Sequence, residues 1–177
     1  MNKYLFLLLS IGLFAACENP STTTQEADVV TSSEPQSPQG SGRINAPTPA
    51  GDSYMESLLI KDYWVFEHYI PKDDTDMEAK LFNKGRWYNF NADGTYQSGH
   101  WQEQLGEGIW KYYEEDGQPK VWMDSKNDSE DSEYKLKANG EGDAMSWVGS
   151  TRYRQNGIMI KAISLMTMPT KKQFGVE

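Results

Sequence analysis

The 177-residue chain contains a single cysteine, Cys17, and two histidines, His68 and His100. One cysteine excludes an intramolecular disulfide and a thiolate-built metal cluster. With so little imidazole there is no His-Glu-x-x-His pair, and no serine sits in a Gly-x-Ser-x-Gly setting, so the common hydrolytic centres are absent. No apolar run reaches the roughly 20 residues of a bilayer-crossing helix. Basic residues are also scarce: 17 Lys and Arg stand against 26 Asp and Glu, for a net charge of −9. No basic stripe is visible, which argues against a nucleic-acid partner and for a solvated, self-repelling surface. Nor does any window carry a convincing helical period. These absences leave a non-enzymatic protein without cofactor or metal as the expectation.

The N-terminus is informative. MNKYLFLLLSIGLFAAC has a basic start at Lys3, an apolar run over residues 4–14 and small residues before Cys17, the layout of a secretory signal. With Leu13, Phe14, Ala15 and Ala16 leading into Cys17, it resembles the lipobox of bacterial lipoproteins. That resemblance implies acylation of the Cys17 sulfur, cleavage before Cys17 and N-acylation of the new terminus. Two or more chains give stable membrane attachment where one would be marginal. Glu18-Asn19 after the cysteine is not the Asp signal that retains such proteins in the inner membrane, so the resemblance implies the outer membrane. The periplasmic face is favoured, the cell surface being the alternative.

Residues 18–52 are dominated by Ser, Thr, Pro, Gly and Gln. Such a composition cannot offset the entropy of ordering. The chain thus divides into a signal peptide (1–16), a lipid-anchored disordered stalk (17–52) and one domain (53–177), long enough for a single core.

Within that domain aromatics recur at short intervals, interrupted by Asp93-Gly94, Asp116-Gly117 and Asn139-Gly140. These dipeptides read as hairpin turns, the glycine taking a positive φ, and the runs between them favour strands. Eight strands are expected, at about 58–70, 80–91, 95–102, 108–114, 120–125, 133–138, 144–150 and 158–168. Short connections in sequence order predict an all-β, eight-stranded antiparallel up-and-down barrel; a two-sheet sandwich is the competing architecture. A three-residue loop at 115–117 would place Trp110 opposite Trp122, and the turn at 92–94 pairs Phe90 with Tyr96, with Tyr88 on the same face. Trp101 then falls out of phase unless Gly99 marks a bulge. In the first strand Trp64, Phe66, His68 and Ile70 are expected inside.

Asp62-Tyr63-Trp64, the 88–96 hairpin, Gly99-His100-Trp101 and Gly108-Ile109-Trp110 together resemble the lipocalin-like domains common in Bacteroidota lipoproteins. The resemblance covers about residues 58–168. Small closed barrels either keep room for one ligand or fill their interior with side chains. The first case makes Trp64, Phe66, Tyr88, Phe90, Trp110 and Trp122 the lining of a site for a small hydrophobic or aromatic molecule. The second makes them a plug, and the barrel a module that presents its surface to an envelope protein or glycan. His68 and His100 could approach a common ion from the inner face, though satisfied structural histidines are the plainer reading. Met159, Met166 and Met168 read as core filler rather than a soft metal site, and the acidic run 124–133 as a solvated loop lacking the central glycine of a calcium loop.

Overall fold

Alternating aromatic and polar residues between glycine turns give each strand one face to bury, and eight such strands in sequence bury them around a common axis. The computed structural model describes residues 45–176; the expected signal peptide, Cys17 and most of the expected stalk lie outside the described residues. The strands are β1 (Tyr63–Ile70), β2 (Arg86–Phe90), β3 (Thr95–His100), β4 (Glu103–Glu115), β5 (Gln118–Ser125), β6 (Ser132–Ala138), β7 (Ala144–Gly149) and β8 (Met159–Leu165). Each pairs antiparallel with the next, and β8 returns to β1, so the sheet is a closed up-and-down barrel and not a sandwich.

Two short helices were not legible in the sequence. The first, α1 (Tyr54–Leu59), occupies what reads as the lead-in to the first strand; its start is a capping box in which Ser53 and Glu56 satisfy each other's backbone. Trp64 Nε1 donates to the carbonyls of Leu58 and Leu59 at 3.3 and 3.2 Å, fixing α1 across one end of the barrel. The second, α2 (Met77–Asn83), capped by Asp76, replaces the early part of the expected second strand. The packed chain also begins before Ser53. Asn45 donates its backbone and side-chain N–H groups to Asp124, both at 3.0 Å, and Ala50 N–H donates to Ala92 O at 2.9 Å. Residues 45–50 therefore strap the outside of the sheet, and a Cβ on Gly94 would meet the Thr48 carbonyl oxygen at 2.1 Å.

Phe90 pairs with Tyr96 as expected, and Tyr88 lies on the same face. The β4–β5 register differs by one residue: Glu115 pairs with Gln118, Trp110 with Met123 and Lys111 with Trp122. Asp116 and Gly117 both take positive φ, 53° and 69°, which makes a two-residue primed turn instead of a three-residue loop. Trp110 consequently points inward and Trp122 outward. A register shift does occur between Ser98 and Gly99, but the extra residue is Leu105 on β4. Trp101 is not in the strand at all; it sits in the β3–β4 turn with φ 53°.

On β1, Trp64 and Phe66 face inward as expected, but a bulge at Glu67 reverses the alternation. Tyr69 then packs against the core, while His68 and Ile70 turn outward. After β8 the chain crosses the outside of the sheet. Pro169 is fully buried, Phe174 meets Trp101 edge-on at 5.6 Å, and the Phe174 carbonyl accepts from Lys84 Nζ at 3.0 Å. Beneath this cover Trp87 is wholly buried on the outer face, against Tyr63 at 5.3 Å. Met166, at 88 % exposed, fills no core.

Candidate functional site

The interior divides along the barrel axis. Toward α1 it is filled: Leu59, Trp64, Phe90, Trp110 and Met123 are all buried to 2 % exposure or less. Phe90 and Trp110 have centroids 5.2 Å apart, and Trp110 Nε1 donates to Asn91 O at 3.0 Å. This half is a plug, sealed by α1.

The half toward the β3–β4 turn and α2 differs because β4 gives it almost no side-chain volume. Gly106 and Gly108 occupy the inward positions there; a Cβ on Gly108 would sit 2.8 Å from the Tyr96 ring and one on Gly106 2.7 Å from Ser98 Oγ. Four tyrosines take the space. Tyr88 stacks on Phe90 at 6.0 Å and meets Phe66, Tyr96 and Trp147 each at 5.8 Å. Tyr134 meets Trp147 at 5.5 Å, and Tyr69 packs in from β1. Tyr88 lies mid-barrel on the inward face yet keeps accessible surface, as does Tyr69, whereas Phe90 two residues further on is closed off. This end of the interior, where Tyr88 and Tyr69 are half-buried and not closed off, is here called the mouth.

Polar atoms converge on the same space. Burial raises the Tyr88, Tyr134 and Tyr69 phenols above their ordinary range, with the Arg86 guanidinium pulling each of them back down. Burial also raises Tyr96, which is further raised by Tyr88 and lowered by the Ser125 hydroxyl. All four are neutral donors at physiological pH. Ser132 Oγ and Trp147 Nε1 are buried without a well-formed hydrogen bond. Arg86 stands at the rim, the register partner of His100 and on the same face as Tyr88 and Phe90. Its Nη1 donates to Asn83 Oδ1 at 3.2 Å, and its guanidinium lies 6.0 Å from the exposed ring of Phe82 on α2. Glu130 of the β5–β6 loop brings its Oε2 to 3.5 Å from where a Gly106 Cβ would sit, and it raises the Tyr88 and Tyr96 phenols.

Of the residues picked from the sequence, Tyr88 is half-buried and Phe66 is buried against it, while Trp64, Phe90 and Trp110 belong to the plug. Trp122 lies outside, beside Lys111 and near Tyr153 of the 150–158 loop. That loop is held over the outer face by ions: Arg152 pairs with Glu115 and with Glu133 at 3.5 Å, Lys120 pairs with Glu115 and with Glu133 at 3.8 Å, and Tyr113 donates to Glu133. Lys120 and Glu133 are 6 and 2 % exposed, so each needs its partner. The residues missed were Tyr69, Arg86, Tyr96, Ser132, Tyr134 and Trp147. Arg86 alternates with Tyr88 and Phe90 and was readable; Tyr69 was hidden by the bulge.

The histidines do not converge. His68 is exposed beside Glu67 at 3.7 Å, and His100 Nε2 donates to Lys84 O at 2.9 Å. Among the described residues no group of three His, Cys, Asp or Glu is placed to hold a metal. Surface grooves of about 730 Å³ over β6–β8 and about 350 Å³ between β1 and α2 are open to solvent, and Tyr69 is among the residues that line the second. No protein-family model, curated protein or solved structure matches this chain.

Proposed function

We propose that this chain is a non-enzymatic lipoprotein of the bacterial envelope, anchored through Cys17 in the outer membrane facing the periplasm, whose lipocalin-like barrel binds a small molecule with an apolar or aromatic face. The observation that carries the reading is Tyr88, an inward side chain at mid-barrel that is half-buried, in reach of the Ser132 hydroxyl and beside Trp147, whose buried Nε1 has no hydrogen-bond partner. A cleft of aromatic walls with a few convergent polar groups is the usual form of a small-molecule site. Native mass spectrometry of the chain purified from its own membranes tests it: a discrete added mass that is lost in Tyr88→Ala supports a mouth ligand, and an unaltered adduct pattern in that variant counts against it. For the anchor, tritiated palmitate incorporation abolished by Cys17→Ala is the expected result, and labelling that persists refutes it.

The second reading, a barrel that presents its surface to a protein or glycan, is favoured by one feature. Met77, Leu81 and Phe82 of α2 are 59, 67 and 64 % exposed, and Ile70, Met159 and Val148 form an exposed apolar row across β1, β8 and β7. Crosslinking from Leu81 in cells to one stoichiometric partner would favour this reading over the first.

A further inference from the structure

Helix α2 wears its apolar residues on the outside. Met77, Leu81 and Phe82 are exposed, while Asn83 is buried and Lys80 half-buried. Asn83 Nδ2 donates to Ala79 O at 2.8 Å and Lys80 pairs with Asp74 at 2.6 Å, so the polar side chains of the helix are turned to the protein. Leu81 and Ile70 line the same groove between β1 and α2. Ile70 lies opposite Met159, and Met159 opposite Val148. Leu105 is exposed near the start of β4. All of these residues stand at the mouth end of the barrel, where β1 and β7 finish and β4 and β8 begin. Exposed apolar side chains gathered in this way mark a surface that an apolar phase covers.

Two observations identify that phase. The described chain begins at Asn45, which is held on Asp124 beside the β5–β6 loop. The segment that leads back to Cys17 thus joins the barrel on the mouth side. Cys17 stands about 30 residues earlier, and a tether of that kind makes docking intramolecular, so that modest affinity suffices. The charges of the rim fit a neutral surface. Asp73, Asp76 and Glu78 flank α2, and Glu130 and Asp131 stand on the β5–β6 loop; they oppose an anionic one.

We infer that the mouth end docks on the phospholipid surface to which Cys17 holds the chain, with Met77, Leu81 and Phe82 seated among neutral headgroups and acyl chains. This rests on the anchor reading of Cys17. It also gives the mouth its supply, since an apolar ligand then passes between lipid and barrel without crossing water.

The test uses the full acylated chain in phosphatidylcholine vesicles. A bimane probe is placed on Leu81→Cys, whose thiol is free where that of Cys17 is acylated, and for comparison on Tyr54→Cys at the α1 end. Doxyl groups in the acyl chains should quench the Leu81 probe and shift its emission to the blue, while aqueous iodide should quench the Tyr54 probe. Met77→Asp with Phe82→Asp should bring the Leu81 probe within reach of iodide, with flotation and circular dichroism unchanged. High salt should leave the doxyl quenching intact, and phosphatidylglycerol in place of phosphatidylcholine should reduce it. A chain that floats with the vesicles but whose Leu81 probe meets iodide as freely as the Tyr54 probe refutes the docking, leaves the anchor standing and returns α2 to a protein or glycan partner. A chain that does not float refutes the anchor, and the docking with it.

Discussion

Trp110 and Trp122 are both large, both on the central β4–β5 hairpin, and only one of them is in the core. Trp110→Ala removes a side chain 2 % exposed and leaves Asn91 O without its donor. Core tryptophan truncation costs about 3–5 kcal/mol, and the abandoned carbonyl adds about 1 kcal/mol, for a loss of about 4–6 kcal/mol. Trp122→Ala acts on a half-buried outer side chain; the area it gives up is worth about 1–2 kcal/mol. In urea, with a slope of about 2 kcal/mol per molar, the midpoint should fall by about 2–3 M for Trp110→Ala and by no more than about 1 M for Trp122→Ala. A domain of ordinary stability, about 5–15 kcal/mol, can be unfolded outright by the first change, so Trp110→Phe supplies a graded point. Equal losses at the two positions, or a larger one at Trp122, would refute the two-residue turn at Asp116-Gly117 and restore the paired tryptophans of the three-residue loop.

Alkali should unfold the barrel cooperatively. Tyr69, Tyr88, Tyr96, Tyr113 and Tyr134 all have raised folded-state pKa values, chiefly through burial, and Tyr112 is pushed up to about 12. The unfolded chain ionises near pH 10, so the stability these phenols contribute is full below that value and is lost as pH rises above it. Absorbance at 295 nm should therefore rise together with the loss of β-sheet dichroism, and free titration of every tyrosine near pH 10 with the fold intact would contradict the packing described. Two glycines separate sterics from backbone conformation. Gly108→Ala puts a Cβ 2.1 Å from the Asp124 carbonyl oxygen and should cost about 3 kcal/mol. Gly117→Ala meets nothing within 4 Å but must keep φ near 69°, at about 1 kcal/mol. Thermal melts that rank them the other way would mean the β4–β5 backbones approach less closely than stated.

The hairpins were legible because Asp-Gly at 93–94 and 116–117 is a strong local signal and aromatic runs flank each one. Their register was only half legible: the same dipeptide closes loops of two or three residues, and the choice is made by φ at Asp116, which composition does not show. The bulge at Glu67 depends on how β1 meets β8, strands at opposite ends of the domain, and no local pattern carries that. With six and seven residues, α1 and α2 are too short for a period to emerge, though Ser53 followed by Glu56 was a readable cap. The candidate site was partly visible for the same reason as the strands. Phe66 and Tyr88 stand out as aromatics on alternating positions, and Arg86 continues the alternation of β2; Ser132 gains meaning only from what faces it.

The β1–β8 seam has a bearing on how the barrel comes to exist. Tyr63 lies opposite Leu165, and the Ser164 hydroxyl donates to Asp62 across a separation of 102 residues, whereas every other strand pair joins neighbours along the chain. Pairings between distant segments must cover the entropy of a long loop before they gain anything. The seven local pairings can therefore accumulate first, leaving a curled ribbon with β1 and β8 bare along both margins. Closing the seam is what ends that exposure, and the time a newly made chain spends open is set there rather than in any of its hairpins.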